Sequence, residues 1–190
     1  MAKKQNQEKP AHRSRRVAYT QGGLDGLCGI YATVNSLQYL HGKAFNEPAA
    51  IEVFKHLCGV VTDKFPSVLW EGTGMPEVRA ILDRADEIAR EKYGFGVTRS
   101  EPLLKSAPVR DDLYWARLDA LLKPKNRVLL VGLKEPWEHW SVLTDVTPRT
   151  LRFIDSISIK VARRDDFSLR KGATYRIDPH QVFLLERVEL

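Results

Sequence analysis

Apolar residues recur at three- and four-residue spacing in the first two-thirds of the chain, and fall into short unbroken or alternating runs in the last third. Ile30, Tyr31, Val34 and Leu37 follow the run Gln21-Gly22-Gly23-Leu24-Asp25-Gly26-Leu27, a pattern that predicts a glycine-rich loop feeding a helix over 28–40. A second helix is predicted from Glu47-Pro48, where proline fits the first turn, through Ile51, Val53, Phe54 and Leu57 toward Gly59. A third spans 76–92 and stops at Tyr93-Gly94, and a fourth spans 111–123, opening on two aspartates and closing at Lys123-Pro124. Residues 60–74, with Pro66, Gly72 and Gly74, read as a surface connection, and 94–110 as a loop.

The character changes at residue 128. Val128-Leu129-Leu130-Val131-Gly132-Leu133 has the continuous apolarity of a buried strand, and further strands are predicted at 139–146, 150–156, 174–177 and 182–188, with Thr147-Pro148-Arg149 as a hairpin loop. Helices followed by strands predict an α+β fold, a helical N-terminal half packed on a C-terminal antiparallel sheet.

Composition narrows the class. With 190 residues, 43% of them apolar, the chain can bury one substantial core, and a single domain is expected over 17–190. The formal charge is +6, but residues 1–16 hold six basic side chains against Glu8, so the body is nearly neutral. That segment has no hydrophobic period and no aromatic residues among its charges, which predicts a disordered basic tail rather than a nucleic-acid-binding arm. No stretch approaches the ~20 apolar residues of a membrane span, and no signal peptide is evident, so a cytoplasmic protein is expected. Cys28 and Cys58 form no Cys-x-x-Cys pair, and His41 and His56 have no third ligand at metal-binding spacing, so no disulfide framework, metal or cofactor is expected.

Any cysteine that matters here therefore matters as a thiol. Cys28 falls at a predicted helix start, where free backbone amides and the helix dipole favour an anion. The flanking Gly26 and Gly29 are expected to let a substrate backbone approach and to leave the Cys28 amide facing a developing oxyanion, with Gln21 as a second donor. His139 opens one predicted strand and Asp155 ends the next, which suits a base and the carboxylate that orients it. With a three-residue hairpin loop Asp155 faces Ser141, on the same side as His139 and at a diagonal Cα separation of roughly 7–8 Å. A two-residue loop puts Asp155 and His139 on opposite faces unless a bulge intervenes.

Gln21, the Cys28-Gly29 helix start with Tyr31 after it, the His139-Trp140-Ser141-Val142-Leu143 strand and Phe153-Ile154-Asp155, in that order, resemble the papain-fold cysteine peptidases. The nearest likeness is to the C39-like, bacteriocin-processing branch. The resemblance implies Cys28 as nucleophile, His139 as general base then acid, Asp155 as its orienter, Gln21 as oxyanion donor, and a protein or peptide substrate. The same residues also suit a deamidase or transglutaminase-type acyl transferase, and a non-catalytic binding protein could retain such a fold. Asp178-Pro179-His180 is similar to the Asp-Pro-His motif of proteases that trim ubiquitin-like modifiers, a competing source of the histidine. Cys58 is expected in the core, Trp137 and Trp140 around His139, and Asp25 in turn bonding.

Overall fold

The computed structural model describes residues 18–22, 25–106 and 110–190. The predicted basic tail, 1–16, lies outside them. In chain order the elements are α1 (Cys28–His41), α2 (Glu47–Val60), α3 (Val68–Glu71), α4 (Met75–Tyr93), β1 (Phe95–Ser100), α5 (Asp111–Leu122), β2 (Arg127–Leu133), β3 (His139–Val146), β4 (Thr150–Ile154), β5 (Val161–Arg163), β6 (Phe167–Ser168) and β7 (Tyr175–Glu189). The fold is α+β, as the sequence predicts. One sheet runs in the order β1-β7-β2-β3-β4-β5, antiparallel at every junction, and β6 adds to β7 in parallel.

The unbroken apolarity of β2 arises because both of its faces are covered. Val128 and Leu130 face a core built with α1, α2 and α4. Leu129 and Val131 face a second core, built with Tyr114, Trp115 and Leu118 of α5. The helical half therefore covers one face, while the fourth predicted helix crosses to the other, an arrangement no local pattern could specify. Asn46 caps α2 through its side chain, which accepts from the Ala49 amide, and Pro48 sits in the first turn as expected. Among the described residues no helix is long and apolar enough to cross a membrane.

Four sequence expectations need correction. The 60–74 connection contains α3, and the 94–110 loop begins with β1, which pairs with the C-terminal half of β7 some 90 residues on. The two last predicted strands are one, β7, interrupted only where the β2 register shifts between Val131 and Leu133. The hairpin loop is shorter than predicted: Thr147 N–H donates to the Thr150 carbonyl at 2.9 Å, so only Pro148 and Arg149 turn. A bulge at Thr144 then corrects the register, from Val146 opposite Leu151 to Val142 opposite Ile154. Continued one residue, that register sets Asp155 opposite Ser141, on the side of His139.

Candidate active site

A cleft of about 490 Å³ opens where the N-terminus of α1 meets the start of β3. Cys28, Gln21 and His139 line it, and Asp155 stands behind His139. Cys28 is the first residue of α1, where backbone amides have no intrahelical acceptors. Asp25 takes the Leu27 amide at 3.1 Å and also lines the cleft, so it serves both the turn and the wall.

His139 Nε2–H donates to Asp155 Oδ2 at 2.8 Å, with both side chains almost fully buried. Nδ1 is thereby left as the nitrogen available to a thiol. Burial of the ring works against its protonation, but the Asp155 carboxylate and then the adjacent Cys28 thiol outweigh it, and the His139 pKa is raised to about 9. Burial likewise opposes ionisation of Asp155, and the bond to His139, the nearby Ser141 hydroxyl and the Ile157 amide reverse this, holding its pKa below the usual carboxylate range. The amides of Ile157 and Ile159 donate to Asp155 Oδ1 at 2.8 and 3.2 Å, which fixes the carboxylate in one orientation.

Gln21 is fastened at both ends. Its backbone N–H donates to the Ser156 carbonyl at 2.9 Å, its Oε1 accepts from the Ser156 hydroxyl at 3.3 Å, and its Nε2 donates to the Asp25 carbonyl. The residue after Asp155 thus positions the side chain expected to bind an oxyanion. Sequence reading missed Ser156, although its place directly after the strand-ending aspartate was the available signal.

The glycines beside Cys28 serve the packing of the chain itself. A Cβ on Gly29 would lie 2.4 Å from Thr73 Oγ1 and 3.0 Å from Val78 Cγ2, and a Cβ on Gly26 would lie 2.9 Å from Gly72 Cα. These glycines admit the chain's own 72–74 segment, and Gly26 also lines the cleft. Trp140 locks that segment across the domain, its Nε1–H donating to the Thr73 carbonyl at 2.7 Å. Both tryptophans line the cleft; Trp140 is buried, whereas Trp137 is half-buried and stacks on Tyr175.

His180 does not join this group. It is exposed, its backbone N–H donates to Asp178 Oδ1 at 2.9 Å, its Nδ1–H donates to the Leu104 carbonyl at 3.2 Å, and it is not part of the cleft wall. Cys58 is half-buried against the helical core, and burial pushes its thiol pKa up. His41 stacks on Phe95 at 4.6 Å, and His56 lies 3.4 Å from Lys92 Nζ.

No protein-family model matches this chain, and no curated protein matches it significantly. Among solved structures, it is similar to the peptidase domain of Streptococcus ComA, a bi-functional ABC transporter involved in a quorum-sensing pathway. The identity is 11% and the TM-score 0.49, over 90% of this chain and 97% of that one.

Proposed function

We propose that this chain is a papain-like cysteine peptidase or isopeptidase, a thiol-dependent hydrolase of an amide bond in a protein or peptide. The observation that carries the reading is the buried His139–Asp155 pair, 2.8 Å long, set beside a cysteine at a helix N-terminus inside a cleft, where the carboxylate favours the protonated ring. An imidazolium next to a thiol favours the thiolate, the attacking form.

In the proposed reaction the Cys28 thiolate adds to the amide carbonyl, and the oxyanion is received by the first-turn amide of α1 and the Gln21 side chain. His139 then gives a proton to the departing amine, leaving a thioester on Cys28. Water, deprotonated by His139, attacks the thioester, and the acid product and free thiol return. Asp155 keeps its charge throughout and holds the ring in the tautomer that turns Nδ1 to the sulfur. The C39-like assignment belongs to the same proposal and rests on the order Gln21, Cys28, His139, Asp155 and their convergence.

The test is the pH dependence of iodoacetamide alkylation, resolved for Cys28 and Cys58 by peptide mass spectrometry. Rapid labelling of Cys28 below neutral pH, collapsing in His139→Ala, is expected. A Cys28 that labels no faster than Cys58, with an ordinary thiol profile, overturns the reading and favours a binding protein.

A further inference from the structure

The lip of the cleft formed by α3 has no role in that chemistry, yet it carries an unusual pair of side chains. Trp70 is 72% exposed, the most exposed large apolar residue among those described, and it borders the cleft. Glu71 follows it, also exposed and on the cleft, and forms no ion pair with any described residue. An indole left in water beside a free carboxylate gains nothing for the fold. Both border the same cleft, where a bound cation can meet the ring face and the charge.

Two further observations fix this lip relative to the nucleophile. Gly72, at φ +74°, turns the chain directly after Glu71, and its backbone packs against Gly26, two residues before Cys28, so closely that a side chain on Gly26 would collide with it. Thr73, next along, lines the cleft, and its carbonyl accepts from the Trp140 indole at 2.7 Å, which ties the lip to the start of β3. The charge of the cleft points the same way. Asp25, Glu71 and Glu138 border it against Lys134, whose ammonium is already 3.1 Å from Glu138, and the His139 ring, which is paired with Asp155. A chain of net charge +6 has an acidic active-site mouth.

The geometry points to the Trp70–Glu71 lip as a specificity subsite that takes a basic side chain, arginine or lysine, of the polypeptide substrate next to the scissile amide. This rests on the peptidase reading above. A guanidinium or ammonium lies over the Trp70 ring with Glu71 as its counter-ion. The two contacts together are expected to favour a basic over a neutral side chain by about tenfold.

The experiment uses three methanethiosulfonates with five-carbon tethers about as long as a lysine side chain: aminopentyl, pentyl and carboxypentyl. Their rates of reaction at Cys28 are measured by mass spectrometry on the full chain, each divided by its rate with free cysteine. Wild type is expected to prefer the cationic reagent over the neutral one by about tenfold and to disfavour the anionic one. E71Q and W70A each reduce the cationic preference, and E71K reverses the order of cationic and anionic reagents. Equal corrected rates in wild type, or an order that survives E71K, overturn the subsite. The peptidase reading stands or falls separately, on the iodoacetamide profile of Cys28 and its response to His139→Ala.

Discussion

Replacing Asp155 by asparagine removes one charge and leaves almost every contact in place. The amide oxygen can still accept from the Ile157 and Ile159 amides, which now meet Oδ1 at 2.8 and 3.2 Å, and the residue keeps its shape in a site with no exposed side-chain surface. The protonated His139 ring, however, loses the partner that contributes most to raising its pKa from the ordinary 6.5 to about 9. Burial, which lowers the value, is then opposed only by the adjacent Cys28 thiol, so His139 in Asp155→Asn should titrate well below its wild-type value. At 1.36 kcal/mol per unit, the wild-type shift corresponds to on the order of 3 kcal/mol of favourable interaction with the imidazolium. Because the folded value lies above the unfolded one, that stability is full below pH 6.5 and is lost as the pH rises through 9. Asp155, whose folded pKa is lowered, contributes on the opposite side, above its unfolded value of 3.8, and that contribution goes as the pH falls through the folded pKa. The assay is an NMR titration of the His139 Hε1 proton in both proteins, alongside urea unfolding at pH values on either side of the raised pKa. Wild type should lose stability across that interval and the variant should not. An ordinary histidine midpoint in wild type, or the same midpoint in both proteins, would refute the reasoning.

Two further perturbations test the packing around and behind the site. Gly29→Ala puts a methyl group 2.4 Å from Thr73 Oγ1 and 3.0 Å from Val78 Cγ2, both on buried residues with little room to retreat, and should cost about 1–3 kcal/mol in urea unfolding. An unchanged midpoint would mean that the 72–74 segment moves freely. Tyr114→Phe removes a hydroxyl that is fully buried with no partner among the described residues, so the melting temperature should hold or rise, by the equivalent of about 1 kcal/mol. A clear fall would reveal a bond to that hydroxyl.

The helices α1, α2 and α4 were legible because their period is local: Ile30, Val34 and Leu37, or Val78, Ile81, Leu82 and Ala85, declare a helical repeat within a few turns. The strand β2 was legible because burial on both faces leaves no polar position. Cys28, His139, Asp155 and Gln21 were legible as residue types in sensible local settings, a helix start, a strand start, a strand end and a loop.

Other features depend on partners far along the chain. β1 is a strand because the end of β7 pairs with it, and α5 covers the second face because Leu129 and Val131 leave a surface there to be filled. Whether Asp155 meets His139 was decided by the Thr144 bulge, a single extra residue that offsets a turn one residue too short. The 72–74 segment became a cleft wall through the Gly26 backbone and the Trp140 indole, the latter 67 residues away. Sequence by itself thus determined which elements could form and which side chains could do chemistry, since propensity, periodicity and residue type act over a few positions. Only the tertiary structure decided which of them meet, because register, facing and close backbone approach arise between segments that the chain keeps far apart.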